Sequence, residues 1–491
     1  MRSSLVLLLL AVILVAAALL RFIDLTANPG GLYLDEAAEA LDAHRLLTMP
    51  GFHPLFFANG GGREALFGYL VAAAFRVFGE STYVLRVTAA AIGGAGVFAI
   101  WLLARRYGTV AGLAAAAWAA GSLWLISVSR DGMRNGLVPL FAALCFSSLL
   151  AWADRPQRRL AILAGAVTAF ATLYTYQPLK LLPLLVLVWI LWLRRADREW
   201  YTRLRPTIAP FALAFALVAA PMLVVAALDP ANYFGRMLGV LPTVGGQPVD
   251  LVDHWLRTLG MFAVTGDPNP RHDVNALPLL GWPLFIIGAI GVAALWRRRR
   301  DPAVLLILVS LPIFLLPPLL ATEGGAPHFL RALGLAVPVA VSVGVGVREI
   351  VSYSRQRWGN RPAGLVAGAA ALGLSALAIA SGSAYLSRPT ADRYEAYRFD
   401  LVAVAAAADH RSAVIVDDYS STVIRFLDAS DLPTIIPPGK RVAAPERFNI
   451  VLGLSRSDIE QALGANAAAS AQPVAHDPSG RPTVFAVSLG R

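Results

Sequence analysis

The sequence predicts a polytopic α-helical membrane protein of about eleven transmembrane helices, followed by a small C-terminal α/β domain. The first observation is composition: 57% of the 491 residues are hydrophobic and 15% are charged, whereas soluble proteins of this size carry about a quarter charged residues. The second is a series of long apolar runs, and the third is a change to a soluble composition after Tyr385. Disordered, collagen-like and disulfide-rich classes are excluded, and the single cysteine, Cys145, cannot form an internal disulfide.

The predicted helices are the apolar runs with enough length to cross the hydrocarbon core, roughly 17 to 25 residues each. The first run could be a cleaved signal peptide or an uncleaved anchor. Because no small-residue cleavage site follows it, we predict an anchor. In chain order the runs are 4–23, 85–104, 109–128, 136–152, 160–176, 178–193, 207–228, 277–296, 303–321, 331–350 and 363–384.

The positive charges predict the orientation of these helices in the membrane. A net charge of +11 in a soluble protein would suggest nucleic acid as a partner, but here the arginines cluster in alternate loops, which the positive-inside rule makes cytoplasmic. The stretch 64–78 must then not span the membrane, and we predict an amphipathic or re-entrant segment there. The arginine-rich loops are 105–106, 154–159, 194–205, 297–300 and 348–361; the loops predicted outside are 24–84, 129–135, about 177, 229–276, 322–330 and everything after 385.

The predicted domains are therefore a transmembrane body over 1–384, with interfacial helices in its first outer loop at 24–84, and a soluble extracytoplasmic domain over 385–491. The N-terminus is expected in the cytoplasm of a multi-pass plasma-membrane protein. In the C-terminal domain the pattern predicts strands at 412–416, 448–452 and 481–489 and helices at 420–427 and 455–463. Its function stays open, since the pair Asp417–Asp418 after the first strand is explained by a solvated strand end or cap.

The first outer loop carries the acidic candidates. At helical spacing Asp35, Glu39 and Asp42 share one face of a helix that we expect at the membrane surface. A solvated acidic face explains this pattern, and so does a carboxylate, with Glu36 beside Asp35, that accepts a proton from a nucleophile.

Basic and aromatic candidates follow in the outer loops. Arg63 comes after three glycines and could hold a phosphate or reach to the interface as a snorkelling side chain. The short second loop concentrates charge next to lipid, where Arg130 fits salt bridging and phosphate binding equally well. Two further corners set cations beside aromatic or proline-containing backbone, although an interfacial belt or helix-end placement also explains them. The substrate-cavity candidates are His53, Glu64, Asp131, Tyr174, Tyr176, His328 and Arg331, and the further candidate phosphate ligands are Arg134 and Lys180.

Together these motifs resemble the GT-C glycosyltransferases, and most of all the protein O-mannosyltransferase and lipid A aminoarabinose transferase group. The resemblance covers about the first 200 residues in motif detail and the rest in layout. It differs from the group where this chain has Arg63-Glu64-Ala65-Leu66 in place of a Lys-Pro or Pro-Pro-Leu pattern. The motifs that carry it are Asp35-Glu36 after the first helix, His53-Pro54 with Gly62-Arg63-Glu64, and Ser129-Arg130-x-x-x-Arg134.

The resemblance implies an enzyme that transfers a sugar from a polyprenyl-phosphate carrier to an acceptor on the outer face, with inversion, in cell-envelope glycosylation. By position Asp35 resembles the catalytic base, with Glu36 as its companion. Arg63 and Arg130 resemble the residues that hold the carrier phosphate. Such a reaction needs no metal cofactor if arginines neutralise the leaving phosphate, so we expect none, although Asp35 and Glu36 could ligate a divalent ion.

Two other functions remain as alternatives. A transporter or flippase of lipid-linked sugars would also need many helices and outer cations, but it favours charged residues near the bilayer midplane. A structural scaffold that presents the C-terminal domain would not depend on Asp35. The expected partners are the polyprenyl-phosphate donor and membrane lipid, not nucleic acid. The sequence leaves the sugar open, and the acceptor could be a protein, a lipid or a glycan.

Overall fold

The computed structural model describes residues 3–58, 62–241, 250–428, 431–443 and 445–489. Within them a helix coincides with each of the predicted apolar runs. Seven helical segments are long and apolar enough to cross a membrane. They are Ser3–Phe22, Thr82–Tyr107, Arg134–Asp154, Arg198–Leu228, Pro302–Leu320, Arg331–Trp358 and Asn360–Leu386.

An eighth span is possible where the prediction put one continuous helix at 109–128. The structure has two helices, α5 (Thr109–Gly121) and α6 (Leu123–Arg130), which meet at a bend of 56°. Ser122 between them is extended, so the helical hydrogen-bond ladder stops there. At Gly121, the last residue of α5, a Cβ atom would lie 2.8 Å from Cα of Ala378 in the helix Asn360–Leu386. Only glycine lets these two helices approach this closely.

The remaining runs form shorter helices, of 15 to 17 residues, at 158–174, 182–196 and 281–297. The stretch 64–78 contains α3 (Leu66–Phe78), whose 13 residues extend for about 20 Å. That is shorter than the hydrocarbon core of about 30 Å, but so is the helix at 182–196, so the placement of this stretch outside the membrane stays a prediction.

The α-helices of the described residues are numbered α1 to α22 in chain order. They are Ser3–Phe22, Leu34–Thr48, Leu66–Phe78, Thr82–Ala104, Thr109–Gly121, Leu123–Arg130, Leu137–Asp154, Arg158–Tyr174, Leu182–Ala196, Arg198–Leu204, Ile208–Leu228, Pro230–Gly239, Leu251–Gly260, Gly281–Arg297, Pro302–Leu320, Ala336–Trp358, Asn360–Leu386, Thr390–Arg393, Phe399–Ala407, Ser421–Leu427, Arg456–Leu463 and Ala465–Ser470.

The C-terminal domain is built on a mixed sheet of five strands. The strands predicted at 412–416, 448–452 and 481–489 are present as β3 (Ser412–Ile415), β5 (Ile450–Gly453) and β7 (Pro482–Ser488), and both predicted helices are present as α20 and α21. The sequence pattern missed the two edge strands, β4 (Thr434–Ile436), of three residues, and β6 (Gln472–His476), which is largely exposed. The sheet order is β4-β3-β5-β7-β6, with β3 parallel to β4 and β5 and with β7 antiparallel to β5 and β6.

Two hydrophobic cores position the site. One lies among the long helices and buries large aromatic side chains such as Trp118 and Trp152. The other joins the first loop to the C-terminal domain, because apolar residues of α2, α3 and α4 pack together with residues of α19, α20 and the sheet. Phe75 of α3 stacks on Phe426 of α20, with ring centroids 6.1 Å apart. The C-terminal domain is therefore packed directly against the helices of the first loop.

Candidate active site

The acidic face of α2 is buried. Asp35 is 7% exposed, and Glu36, Glu39 and Asp42 are fully buried, so the structure decides against a solvated helix face. Burial of a carboxylate is costly unless a partner compensates it. Arginines from three other parts of the chain supply those partners.

Glu36 is bound from several sides. Arg86 of α4 donates to both of its carboxylate oxygens, at 2.9 and 3.0 Å, and the backbone N–H of Gly132 donates to Oε1 at 2.7 Å. Gly132 is required here, because a Cβ atom would lie 2.5 Å from Leu85 and 3.1 Å from Glu36 Oε1. Glu36 also accepts from the backbone of Tyr33 at the start of α2. Its contacts are those of a structural anchor.

Asp35 has a different environment from its neighbour. It lies on the wall of a cavity of about 910 Å³ and accepts a hydrogen bond from the hydroxyl of Tyr419 in the C-terminal domain. Arg63 and Arg45 line the same cavity. The predicted acidic pair is thus divided: one carboxylate lines a cavity, and the other holds α2 against the helical body.

Three cations lie around the carboxylates of α2 and of the segment that follows it. Arg63 and Glu64 form the short strand β2 (Arg63–Glu64), paired with β1 (Phe56–Phe57). Arg63 is ion-paired with Asp42, and Arg134 with Glu39 at 2.5 Å. Glu64 lies 3.3 Å from Arg134 and 3.2 Å from Lys180. We call Arg63, Arg134 and Lys180 the cation cluster.

The cation cluster has polar capacity that its carboxylates do not use. Nε of Arg63 is buried and makes no hydrogen bond among the described residues. Nε of Arg134 makes none among them either, but it is the nitrogen that lies 3.3 Å from Glu64. Burial raises the pKa of Glu39 despite the nearby charges of Arg134 and Arg63. Buried guanidinium donors of this kind suit a phosphate group, which accepts several charge-assisted hydrogen bonds.

Two tyrosines lie over the cation cluster. Arg134 lies over the ring of Tyr176, 5.2 Å from its centroid, and Lys180 over Tyr233 at 4.7 Å. The prediction included Tyr176 and missed Tyr233. Tyr174 points elsewhere: its hydroxyl donates to the carbonyl of Val218, and its ring stacks on a phenylalanine of the same helix.

Arg130 does not join the cation cluster. Its guanidinium donates to the carbonyls of Leu20, Ile23 and Asn28, at 2.6 to 3.0 Å, and lies over the ring of Tyr385. Nε of Arg130 is buried without a hydrogen bond to the residues that the structure describes, as Nε of Arg63 is, but the two terminal nitrogens donate to backbone carbonyls and so fix the chain around them. These contacts favour a structural role over the phosphate contact that the sequence suggested.

Asp131 links the second loop to the C-terminal segment. It accepts a hydrogen bond of 2.6 Å from the hydroxyl of Tyr397. Burial, with the nearby charge of Glu36, raises the pKa of Asp131 to about 7. The backbone of Tyr397 in turn accepts from Leu32 in the first loop.

The other predicted cavity residues are spread over the same region. His53 is exposed. Arg331 donates to the carbonyl of Ala321 and lies 3.7 Å from Glu323, which lines the cavity beside Asp35. The glycine-rich turn predicted before Arg63 falls largely on residues 59–61, outside the described residues.

One group of side chains could hold a metal ion. Asp267, His272 and His328 place one ligand atom each within 4.8 Å of one another, and Nδ1 of His272 is 2.8 Å from Asp267. Burial lowers the pKa of His272, and it lowers that of His328 to about 3, so both imidazoles are neutral, as metal ligands must be. None of the three lines the cavity beside Asp35.

Besides Tyr233, two residues that contact the acidic pair were not predicted from the sequence. Arg86 lies inside a predicted membrane helix, and a charge there is itself an indication of a function or an anchor. Tyr419 follows the pair Asp417–Asp418 in a loop of ordinary composition. Nothing in the local pattern indicates that it reaches Asp35, because the two residues are 384 positions apart.

Part of the sequence matches a known protein family. Residues 65–224, about a third of the chain, match the family model described as dolichyl-phosphate-mannose-protein mannosyltransferase. This segment includes Arg86, Arg134 and Lys180 but not Asp35 or Arg63. No curated protein matches the sequence significantly.

Solved structures match over nearly the whole chain. ArnT from Cupriavidus metallidurans, bound to undecaprenyl phosphate, superposes with a TM-score of 0.60 at 15% identity, covering 99% of this chain and 98% of that one. The oligosaccharyltransferase of Archaeoglobus fulgidus in its apo form gives 0.57 at 12% identity, covering 99% and 75%. Its complex with an inhibitory peptide and a dolichol-phosphate gives 0.53 at 13%, covering 99% and 74%. The chain therefore has the fold of the GT-C membrane glycosyltransferases, and residues 65–224 carry a mannosyltransferase-like sequence pattern.

Proposed function

We propose that this protein is a glycosyltransferase that moves a sugar from a polyprenyl-phosphate carrier to an acceptor hydroxyl. One observation carries the proposal: a buried carboxylate, Asp35, and an arginine of the cation cluster, Arg63, line the same cavity. A base and a phosphate site must be neighbours in such a reaction, since bond formation and bond breaking occur at one carbon. The shared fold supports the proposal, and so do the carriers named for the similar structures, undecaprenyl phosphate and dolichol-phosphate.

In the proposed step Asp35 accepts the proton of the acceptor hydroxyl. The acceptor oxygen forms a bond to the anomeric carbon, while the bond from that carbon to the phosphate oxygen breaks and its electron pair leaves with the phosphate. Attack opposite the leaving group inverts the anomeric centre. Arg63, Arg134 and Lys180 would stabilise the charge that develops on the phosphate, and such preorganised charges are commonly the largest contribution to catalysis.

We propose that the step needs no metal at the acidic pair. Both oxygens of Glu36 are bound by Arg86, and Oδ1 of Asp35 accepts from Tyr419. A divalent ion would have to displace these partners in a site already rich in cations, where like charges repel it. The side-chain cations would take the role that a metal has elsewhere.

Transport of a lipid-linked sugar is the competing function. Transporters typically place their binding groups near the bilayer midplane, on broken helices. Here the cation cluster surrounds α2 and β2, which lie outside the candidate spans, and includes Arg134, the first residue of one span. This placement favours transfer.

The test is Asp35→Asn, with Asp253→Asn as control, since Asp253 is an exposed acid on α13 paired only locally with Arg257. Each protein is incubated in proteoliposomes with radiolabelled polyprenyl-phosphate mannose and a cell-envelope fraction, after which donor lipid, glycolipid, glycan and protein are separated. The Asp35 variant should still bind undecaprenyl phosphate but leave all label in the donor lipid. Transfer at the parent rate would refute the assignment of the base. Label that crosses the bilayer without leaving its carrier would support transport instead.

A further inference from the structure

The cavity beside Asp35 lies between two separate parts of the chain. One wall is formed by α2 and β2, which contribute Asp35, Arg45 and Arg63. The opposite wall belongs to the C-terminal domain, where α20 and the turn before it contribute Tyr419, Thr422 and their neighbours. A domain with no function assigned from its sequence therefore closes the cavity that holds the proposed base.

The turn that carries Tyr419 is held in place. Ser420 donates to Asp417 through its backbone N–H at 2.9 Å and through its hydroxyl at 2.6 Å. Arg398 donates to Ser420 at 3.4 Å and to Asp400 through two of its nitrogens. The tyrosine thus projects from a turn fixed at both ends, between β3 and α20.

The domain itself is fixed against the first loop near this point. The stacking of Phe75 on Phe426 and the hydrogen bond from Tyr397 to Asp131 join it to the helical body on either side of the turn. Tyr419 can therefore hold the carboxylate of Asp35 in one orientation.

We propose that Tyr419 is a positioning residue for Asp35 and that the C-terminal domain forms the acceptor side of the cavity. This inference rests on the proposed function. A tyrosine hydroxyl that donates to a carboxylate favours its charged form and restricts its rotation, both of which a base needs before it meets the acceptor hydroxyl.

The walls of the cavity indicate the chemistry of the acceptor. Besides Asp35 and Tyr419, the charged groups that line it are Arg45, Arg63, Glu323, Asp417, Asp418 and Arg425. Arg425 is paired with Asp418 at 3.2 Å. Mixed charges of this density suit a hydrophilic, hydroxyl-bearing group that forms several hydrogen bonds, and they disfavour an acyl chain.

The first experiment compares Tyr419→Phe with the parent and with Tyr394→Phe. Tyr394 is a matched control, because it lies in the same domain and its hydroxyl binds Thr483, away from Asp35. Transfer from polyprenyl-phosphate mannose is measured against pH with the cell-envelope fraction as acceptor. Without the tyrosine hydroxyl the carboxylate is protonated at higher pH, so the acidic limb of the rate profile should move upward by about one unit. Tyr394→Phe should leave it in place.

The second experiment tests the acceptor side with Thr422→Trp, which fills part of the cavity from α20. The amount of envelope fraction needed for half-maximal transfer should rise several-fold, while retention of undecaprenyl phosphate stays that of the parent. A parent-like pH profile in Tyr419→Phe and a parent-like acceptor dependence in Thr422→Trp would overturn the inference. If Asp35→Asn is inactive in that case, the proposed function stands alone; if Asp35→Asn is active, the proposed function fails as well.

Discussion

Glu36 and Asp35 are adjacent, yet the structure predicts different consequences when each carboxylate is replaced by an amide. Glu36→Gln should destabilise the fold, whereas Asp35→Asn should abolish transfer and leave most of the stability. Glu36→Gln removes the negative charge that compensates Arg86, and both side chains are fully buried. Breaking a buried pair by removing one partner typically costs about 3–5 kcal/mol, because the other charge stays buried and uncompensated. Arg86 keeps three backbone partners, the carbonyls of Leu25, Gly30 and Gly31, so we expect the lower end, about 3 kcal/mol.

The measurement is reversible unfolding in mixed micelles, followed by tryptophan fluorescence. Glu36→Gln should lose about 3 kcal/mol, and Asp35→Asn, which turns the charged acceptor of one tyrosine hydrogen bond into a neutral one, should lose about 1 kcal/mol. The double variant Glu36→Gln with Arg86→Met should cost less than the sum of the two single changes, since the second removes the charge that the first leaves unpaired. Equal losses of unfolding free energy for Glu36→Gln and Asp35→Asn would show that Glu36 is not the anchor inferred from its contacts. A double variant of Glu36 and Arg86 that loses the sum of the two single changes would show the same.

Four further outcomes are expected. Arg63→Met or Arg134→Met should weaken binding of undecaprenyl phosphate about 10- to 100-fold in a scintillation proximity assay, the loss expected for a charge-assisted hydrogen bond; parent-like binding in both would remove the cation cluster from the phosphate site. Arg130→Met should lower the melting temperature by several degrees, yet the folded fraction should bind the carrier normally, whereas a selective loss of binding would restore its predicted phosphate contact. Adding magnesium or manganese to EDTA-treated protein should not change the transfer rate, and a rise of tenfold or more would contradict a metal-free step. The pKa of Asp131 is raised to about 7 in the folded protein, so its contribution to stability is present below about pH 4 and is lost as the pH rises to 7. Asp131→Asn should therefore flatten the dependence of the unfolding free energy on pH between pH 4 and 8. An unchanged dependence would assign it to another group.

Much of the fold follows from local composition. A run such as 363–384 is apolar along its whole length, so it has to lie in an apolar environment whatever its neighbours are. In that environment its backbone N–H and C=O groups can pair only with one another, and the run therefore forms a helix. The strands β3 and β5 likewise follow from short runs that are almost fully buried. The two edge strands were missed because β4 has only three residues, too few to show a period, and β6 is mostly exposed and so carries little hydrophobic pattern. The close approach of Ala378 to Gly121, next to the break at Ser122, is a tertiary contact that no local pattern contains.

The sequence by itself determined a membrane body with a polar C-terminal domain, and it placed acids and arginines of the right type in the first loops. The tertiary structure alone decided what each of them does. It turned Glu36 toward Arg86 and Asp35 toward a cavity, gave Arg130 to backbone carbonyls, and brought Tyr419 to Asp35 across the chain. The physical reason is that hydropathy is a property of each segment, whereas a buried charge needs a partner that compensates its desolvation. Which residue is that partner depends on the tertiary structure, because the partners are far apart in the sequence.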